Sequence, residues 1–475
     1  MSNAVECRKV SFCYDGTDKM ILNEADFILP YGEFAVLSGI SGEGKTTLLS
    51  IINGVIPFLT QGKLTGQIFL DGEDCTARKV SERAKLVGTV LQNADEQIVY
   101  EKALDEAAFG CENLNLPSDA IEHRALAALE LMKIEPNAST KTLSGGQKQR
   151  LITAATLAMG QKILILDEPL ANLDRQGSLL LLETLRKLTR QGYAVLLIEH
   201  RLDVVLPYAD TVYQLTDGKV VRAKDTERLL TENRIHLSYD PPQNRSQEPL
   251  LTLSGVRYAP GKQPVLKGVD LQLSRGEKLI LLGENGCGKT TLLRLLARIV
   301  RPDAGRYAQN LIKQRRKKRP SAVWFQKAGY VYQNPSYQLF MPTVLQEVTC
   351  SAVSEEYARR MLTLFGLSGL EERHPHSLSE GQKRRLGLAA VLAAKPELLF
   401  LDEPTVGQDV GHLTAMVEAL HTLQRETGMT MVTVTHDIRC VAALCDRALF
   451  LQNGAIAAEG DAQTAEAYLS GKFAI

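Results

Sequence analysis

Two stretches of the sequence have the residue types and the spacing of a loop that binds phosphate. The first, SGISGEGKTTLL, begins at Ser38, and the second, LGENGCGKTTLL, begins at Leu282. In such a loop, glycines let backbone N–H groups turn toward a phosphate, a lysine supplies positive charge, and a threonine hydroxyl can bind Mg²⁺. Each stretch follows an apolar run of strand length and leads into a leucine-rich helix, whose positive end adds to the attraction. The candidate phosphate-binding residues are Gly39, Ser41, Gly42, Gly44, Lys45, Thr46 and Thr47 in the first loop, and Gly283, Asn285, Gly286, Gly288, Lys289, Thr290 and Thr291 in the second.

A pair of carboxylates ends a later apolar run in each half of the chain, in ILILDE and LLFLDE. Asp167 and Asp402 would lie where a buried strand emerges beside the phosphate loop, suited to orient Mg²⁺ through its waters. Glu168 and Glu403 come next, and a general base at that place contributes about 10² to 10⁴ in rate by polarising a water. Most such pairs are solvated turn residues. The upstream phosphate loops favour the catalytic interpretation.

Histidines and tyrosines extend both candidate sites. His200 and His436 each end another apolar run. A lone histidine at a strand end is more often structural, but the recurrence favours donors to a γ-phosphate. Tyr14 and Tyr258 stand near the start of the two halves, and we favour stacking on a base over an ordinary role at a strand edge.

These residues recur in the same order and at nearly the same spacing, which predicts an internal duplication. The tyrosine precedes the loop lysine by 31 residues in both halves. The serine of LSGGQ or LSEGQ precedes the glutamate by 24 residues in both, and the histidine follows that glutamate by 32 or 33 residues. Five matched landmarks in order are not expected by chance.

The chain is organised as two domains joined by a short linker. In SYDPPQNRSQEPL a Pro-Pro pair stops helix and strand periodicity, so we predict a first domain over residues 1–237, a linker over 238–250 and a second domain over 251–475. Within each half, short leucine-rich or β-branched runs alternate with longer helical segments. This alternation predicts a parallel sheet covered by helices.

Composition narrows the class of protein. Of the 475 residues, 55 are Lys or Arg and 55 are Asp or Glu, so the net charge does not call for nucleic acid as the main partner. The eight cysteines form no CxxC pair, and a zinc site is not expected. A helix that spans a membrane needs about 18 to 20 consecutive apolar residues, and no apolar run in the sequence approaches that length. Without a leader at the start of the sequence, we expect a cytosolic protein with unpaired thiols.

The order of these motifs, with LSGGQ among them, resembles the nucleotide-binding domains of ABC ATPases over nearly all of both halves. The resemblance implies an α/β fold with two P-loop NTPase domains in tandem. Each would have a RecA-like parallel sheet core, a small antiparallel β subdomain and a helical signature subdomain. It also implies ATP hydrolysis with Mg²⁺, in two sites that form when the domains close head to tail. That would explain why one chain carries the loop twice.

The resemblance also implies which residues share a site. Glu168, Glu403, His200 and His436 would be catalytic, and Tyr14 and Tyr258 would contact the nucleotide. The first site would join Lys45, Thr46, Gln92, Asp167, Glu168 and His200 to the second signature, with Ser379, Gly381 and Gln382. The second site would join Lys289, Thr290, Gln333, Asp402, Glu403 and His436 to the first signature, with Ser144, Gly145, Gly146 and Gln147. The implied Mg²⁺ ligands are Thr46, Gln92, Asp167, Thr290, Gln333 and Asp402.

The segments that begin at Gln92 and Gln333 narrow the resemblance to a subfamily. QNADEQIVY and QNPSYQLFMPTV are similar to the QNP-x-x-Q-[IL]-[FV] pattern of energy-coupling factor (ECF) transporters, and EKALDEAAFG and TVLQEVTCSAV resemble the segments that follow it. In those transporters, two ATPase domains drive a transmembrane T component and a small S component that captures a vitamin or a metal ion. The resemblance therefore implies a peripheral protein at the cytoplasmic face of the cell membrane.

Some features depart from this pattern. Glu380 stands where the family usually has glycine, which leads us to expect unequal hydrolysis at the two sites. The basic run KQRRKKR, residues 313–319, is interpreted as a solvated loop, with contact to anionic lipid headgroups as the alternative. Two other functions stay open: the ATPase of another ABC importer, such as one for sugars, and a soluble ABC protein acting in translation. The short linker counts against the latter.

Overall fold

The computed structural model describes residues 2–40, 42–171, 173–232, 248–261, 263–312 and 320–473. Ser41 of the first phosphate loop and the basic run 313–319 lie outside the described residues, as does most of the predicted linker. The chain divides into two compact units, Met1–Arg234 and Ile235–Ile475. We call them unit 1 and unit 2.

Unit 1 is built from strands and helices that alternate along most of its length. Its strands are β1 (Asn3–Tyr14), β2 (Met20–Pro30), β3 (Phe34–Ser38), β4 (Gly62–Leu70), β5 (Glu73–Asp74), β6 (Val87–Val90), β7 (Ile163–Asp167), β8 (Ala194–Ile198), β9 (Thr211–Thr216) and β10 (Lys219–Arg222). Its helices are α1 (Lys45–Ile52), α2 (Val55–Phe58), α3 (Val80–Arg83), α4 (Ala103–Asn113), α5 (Ser118–Leu131), α6 (Gly145–Met159), α7 (Arg175–Arg190), α8 (Leu202–Val205) and α9 (Thr226–Glu232).

Two sheets form in the described part of unit 1. The larger has the order β10-β9-β3-β8-β7-β6, in which all neighbours pair in parallel except the edge strand β10. The smaller is antiparallel, with the order β2-β1-β4-β5. Every residue of β7 and β8 is buried, as expected of parallel strands covered on both faces. The predicted parallel core and antiparallel β subdomain are confirmed.

Unit 2 repeats this architecture. Its strands are β11 (Pro249–Tyr258), β12 (Leu266–Ser274), β13 (Lys278–Leu282), β14 (Ala304–Gln309), β15 (Ala328–Val331), β16 (Leu398–Asp402), β17 (Thr430–Val434), β18 (Arg447–Gln452) and β19 (Ala455–Gly460). Its helices are α10 (Lys289–Leu296), α11 (Ala322–Lys327), α12 (Val344–Thr349), α13 (Glu355–Leu364), α14 (Glu380–Leu392), α15 (Val410–Thr427), α16 (Ile438–Leu444) and α17 (Ala462–Ser470). The larger sheet has the order β15-β16-β17-β13-β18-β19 and the smaller the order β12-β11-β14.

Two apolar cores flank the parallel sheet in each unit. One lies between that sheet and the antiparallel sheet and contains the helix after the phosphate loop. The other lies on the opposite face and includes α4, α5 and α6 in unit 1, or α12, α13 and α14 in unit 2. These three helices pack on one another and form the predicted helical signature subdomain.

Strand order brings the candidate site together. The phosphate loops follow β3 and β13, the carboxylate pairs end β7 and β16, and the histidines follow β8 and β17. In each sheet these three strands are neighbours and parallel. Because the carboxyl ends of parallel strands meet at one edge of a sheet, groups distant in sequence converge there.

The far end of each phosphate-loop helix is held by one buried side chain. The last carbonyls of a helix have no partner within it. Arg83, fully buried, donates from Nη1 to the carbonyls of Ile51 at 2.5 Å and Ile52 at 3.1 Å, and to two further carbonyls. At the matched place in unit 2, the indole Nε1 of Trp324 donates to the carbonyl of Ala297 at 2.9 Å. The two units anchor the same helix with different chemistry.

We predict that Arg83→Leu destabilises unit 1 by about 3 kcal/mol or more, because leaving a buried acceptor without its donor costs about 1 to 3 kcal/mol and several acceptors are affected. The matched change Trp324→Phe removes one donor and should cost unit 2 about 1 kcal/mol. Urea unfolding followed by far-UV circular dichroism measures both losses. In Arg83→Leu, fluorescence of Trp324, the single tryptophan of the chain, reports whether unit 2 is unaffected. Equal losses in the two variants would contradict the prediction.

Candidate functional site

The phosphate loops require glycine at their first position because the backbone passes close to the end of a neighbouring strand. Gly39 and Gly283 have φ angles of 150° and 147°. A Cβ at Gly39 would lie 2.7 Å from the carbonyl oxygen of Leu215, and one at Gly283 would lie 2.3 Å from that of Leu451. No other side chain fits this path without moving a strand.

Each loop lysine lies against its own loop. Lys45 Nζ donates to the carbonyls of Gly39 and Ile40, both at 2.8 Å. Lys289 Nζ donates to the carbonyls of Gly283 at 2.7 Å and Glu284 at 2.9 Å. Both lysines are buried. The positive charge is therefore held beside the N-terminus of the following helix, where the two together attract a phosphate.

A hydrogen bond joins the loop helix to the end of the central strand in each unit. Thr46 Oγ1 donates to Asp167 Oδ2 at 2.8 Å, and Thr290 Oγ1 donates to Asp402 Oδ1 at 3.0 Å. Burial raises the pKa of Asp167 to about 6 and also raises the pKa of Asp402. A bound cation would offset this cost of burying a carboxylate.

These oxygen groups fit Mg²⁺. The ion prefers hard oxygen ligands and keeps several waters, so one hydroxyl and one carboxylate suffice when phosphates supply the rest. Across the described residues, no group of three or more His, Cys, Asp and Glu side chains could hold a metal ion by itself.

The candidate catalytic glutamates have a strained backbone. Glu168 and Glu403 have φ angles of 46° and 50°, in the left-handed region where a residue other than glycine costs about 1 to 3 kcal/mol. Their N–H groups donate to the carbonyls of Ile198 at 3.0 Å and Val434 at 2.9 Å on the neighbouring strand. Burial raises the pKa of Glu403 to about 7. Such strain, over-determined by the sheet, is typical of functional positions.

Histidine reaches the glutamate in both units, but the candidate glutamine reaches it only in unit 1. His200 Nε2 lies 3.0 Å from Glu168 Oε1, and Gln92 Nε2 donates to Glu168 Oε2 at 2.8 Å. The corresponding distance from His436 Nε2 to Glu403 Oε1 is 3.4 Å. Glu403 Oε2 instead accepts from the backbone N–H of His436 at 3.3 Å.

Gln333 is exposed and is not among the side chains that hydrogen-bond Glu403 in the described part of unit 2.

The candidate nucleotide-stacking tyrosines also differ in their contacts. The hydroxyl of Tyr14 lies 2.8 Å from Thr47 Oγ1 on the loop helix. Tyr14 lines an open cavity of about 180 Å³ formed by residues 13–18 and Lys63. This arrangement places an aromatic ring next to the helix of the phosphate loop. Tyr258 lies at the end of β11, half-buried.

The two signatures form the N-termini of long helices. Ser144 caps α6, and its N–H and hydroxyl exchange hydrogen bonds with Gln147 at 2.9 and 3.3 Å. Ser379 caps α14 with Gln382 in the same way, at 3.0 and 3.3 Å. Both serines are exposed, so each presents a hydroxyl and a positive helix end to an anion.

Glu380, which stands where the family usually has glycine, forms an ion pair with Lys383 at 2.8 Å. The expectation that it makes the two sites unequal stays a prediction.

A second glutamine supports the backbone just before each candidate glutamine, and sequence reasoning assigned it no role. The N–H of Leu91 donates to Gln97 Oε1 at 2.7 Å, and the N–H of Tyr332 donates to Gln338 Oε1 at 3.1 Å. The signal was present as the second glutamine of QNADEQ and QNPSYQ.

Two buried glutamates were also missed. Glu106 Oε2 accepts from the N–H groups of Val99 at 2.8 Å and Tyr100 at 2.7 Å. Glu347 Oε2 accepts from those of Phe340 and Met341, both at 2.7 Å. Each glutamate follows the candidate glutamine by 14 residues, and that repeat was the available signal. We call Val99–Tyr100 and Phe340–Met341 the latched segments.

Comparison with known proteins finds a family match in both halves of the chain and relatives that align with nearly all of it. Residues 22–171 and 266–406 match the family described as ABC transporter. A Methanosarcina mazei protein provisionally named ABC transporter ATP-binding protein is 34% identical, covering 98% of this chain and 90% of its own. A Bacillus subtilis (strain 168) protein provisionally named HMP/thiamine import ATP-binding protein YkoD is 31% identical, covering 95% and 90%.

Solved structures match over both units. A chain of ribosome-bound archaeal Pelota and ABCE1 is similar with a TM-score of 0.72 and 21% identity, covering 97% of this chain and 80% of its own. A structure of RNase-L Inhibitor gives 0.63 and 22%, covering 94% and 88%. At these identities the likeness bears on the fold alone.

In the part of the chain that the structure describes, no helix is both long and apolar enough to cross a membrane. The family match spans both phosphate loops and both carboxylate pairs. The chain therefore belongs to the ABC transporter family, as an ATPase with two ATP-binding domains in tandem.

Proposed function

We propose that this protein is the ATP-hydrolysing subunit of an ECF-type importer for a vitamin or a metal ion. The observation that carries the proposal is the segment after each candidate glutamine. Both units have the QNxxxQ pattern, use its second glutamine to hold the backbone, and latch the following residues with a buried glutamate. The Bacillus subtilis relative is named for HMP/thiamine import, and that name supports a vitamin as the class of substrate.

The latched segments are suited to dock a membrane component. Val99, Tyr100 and Phe340 are 65%, 40% and 76% exposed, although their side chains are apolar or aromatic. Their backbone is fixed while their side chains face outward, so little ordering entropy is lost when a partner helix covers them. Gln92 hydrogen-bonds Glu168 and starts the segment that leads to Val99. A movement of the membrane component at Val99 would therefore shift Gln92 and, through it, the position of Glu168.

Within each unit the chemistry is that of phosphoryl transfer to water, which depends mainly on positioning and electrostatics. Lys45 and Lys289 would bind the β- and γ-phosphates, and Glu168 and Glu403 would orient the attacking water. His200 and His436, each beside its glutamate, would donate to the γ-phosphate. Mg²⁺, held by Thr46 and Asp167 or by Thr290 and Asp402, would neutralise charge that develops on the phosphates.

The capped signatures would complete the sites. An exposed serine at a positive helix end suits the γ-phosphate of a nucleotide bound by the other unit. A site of this kind needs both units, which accounts for the duplication. The protein would then lie at the cytoplasmic face of the membrane, attached through its T component.

We predict that the double variant Ser144→Ala with Ser379→Ala lowers ATP turnover at least tenfold. Each change also removes a helix cap, which costs about 1 kcal/mol of stability. Ser354→Ala is the matched control, because Ser354 caps α13 through the same kind of bond, to the N–H of Tyr357 at 3.1 Å, outside the signature. Steady-state phosphate release should be normal in the control. Normal turnover in the double variant would overturn the composite sites.

We predict that Glu347→Ala speeds amide hydrogen exchange at Phe340 and Met341 at least tenfold, since hydrogen bonds to a charged acceptor are worth about 1.5 to 3 kcal/mol. Glu106→Ala should act likewise on Val99 and Tyr100. Gln346→Ala is the control, because Gln346 is an exposed neighbour on the same helix α12. Mass spectrometry at peptide resolution measures the exchange rates. If Gln346→Ala and Glu347→Ala gave the same exchange rates, Glu347 would not hold this backbone in place.

The importer assignment predicts which proteins accompany this one in mild detergent. Purification of the tagged full-length protein from native membranes should recover a T-type membrane protein and a small S-type protein, identified by mass spectrometry. Glu347→Ala and Glu106→Ala should reduce that recovery, whereas Gln346→Ala should not. Recovery of ribosomes instead would favour the role in translation and overturn the importer. Recovery of the two membrane proteins of a sugar importer would agree with a role in transport but overturn the ECF assignment.

A further inference from the structure

The two units differ in how the carboxylate at the end of the central strand is held. In unit 2, Asp402 accepts two side-chain hydrogen bonds, from Thr290 to Oδ1 at 3.0 Å and from the hydroxyl of Tyr330 to Oδ2 at 2.9 Å. In unit 1, Asp167 accepts from Thr46 at 2.8 Å. Within the described residues of unit 1, no second side chain is bonded to Asp167.

The difference comes from one position in the sheet. Tyr330 on β15 is paired with Phe400, two residues before Asp402. At the same register in unit 1, Thr89 on β6 is paired with Ile165, two residues before Asp167. A threonine at that place is too short to reach the carboxylate that the tyrosine reaches. The register match makes Thr89 and Tyr330 true counterparts.

The hydroxyl of Tyr330 is held in place by its surroundings. Its ring contacts those of Tyr332 and Phe400, with centroids 4.7 and 6.4 Å apart. A phenol is protonated at neutral pH, so the hydroxyl donates to Asp402.

We propose that Tyr330 is a positioning residue for the Mg²⁺ site of unit 2, holding Asp402 in place when Thr290 ligates the metal. The proposal rests on the assignment of Thr290 and Asp402 to Mg²⁺. A threonine hydroxyl binds a cation through an oxygen lone pair and can still donate its O–H to the aspartate. With the cation bound, Asp402 is held by hydrogen bonds from both Thr290 and Tyr330, whereas among the described residues of unit 1 Asp167 is held by the one from Thr46. The carboxylate of Asp402 therefore has to move less than that of Asp167 when Mg²⁺ binds. Unit 2 consequently binds Mg²⁺ together with its nucleotide more tightly than unit 1.

The experiment measures how strongly Mg²⁺ tightens nucleotide binding, with no need for turnover. Full-length Lys45→Ala leaves unit 2 as the site with an intact loop lysine, and Lys289→Ala leaves unit 1. The affinity of each for a fluorescent ATP analogue is measured with EDTA and across a Mg²⁺ titration. The ratio of the two affinities is the coupling between metal and nucleotide.

In the Lys45→Ala protein, Tyr330→Phe should lower that ratio about tenfold, the size typical for loss of an outer partner of a metal ligand, and leave the affinity in EDTA unchanged within twofold. In the Lys289→Ala protein, the matched control Thr89→Val should change neither value. Equal loss of affinity with and without Mg²⁺ would show that Tyr330 only supports the fold and would overturn the proposal. An unchanged ratio would overturn it as well. Neither result depends on which membrane protein is the partner, so failure here is distinct from failure of the importer assignment.

Discussion

A hydrogen bond between threonine and aspartate is the contact around which each unit is organised. It links the start of the loop helix to the end of the central strand, across 121 residues in unit 1 and 112 in unit 2. Both partners are set by the sheet, because parallel neighbouring strands deliver them to one edge. A hydroxyl and a carboxylate are also oxygen ligands of the kind that Mg²⁺ prefers. The fold and the proposed metal site therefore depend on the same pair of side chains.

The remaining contacts keep this pair and its neighbours from moving. The loop helix is held at one end by its lysine and at the other by Arg83 or Trp324. The strained backbone of Glu168 is fixed by the adjacent strand. Preorganised groups of this kind stabilise developing charge without rearranging during the reaction. The strain is tolerated because Glu168 directly follows the buried strand β7 and its N–H is hydrogen-bonded to the buried strand β8.

The units share a geometry without sharing the side chains that support it. Unit 1 anchors its helix with a guanidinium and brings Gln92 to its glutamate. Unit 2 uses an indole, supports its aspartate with a phenol and leaves Gln333 exposed. The helix anchors can differ between the duplicated units because either a guanidinium or an indole N–H can donate to the carbonyls at the end of the helix. Such differences at the metal and the glutamate are where two otherwise matched sites would acquire unequal roles.

The sequence alone determined the chemistry and the fold class. The loops, the carboxylate pairs and the signatures act through residues a few positions apart, so local spacing predicts them, and the apolar runs predicted the parallel sheet. The tertiary structure alone decided which long side chains meet. That Tyr330 reaches Asp402, and that Gln92 but not Gln333 reaches a glutamate, depends on packing between segments that the sequence does not relate. Local spacing survives in any fold of the chain, whereas a contact between two side chains requires strand register and rotamer together.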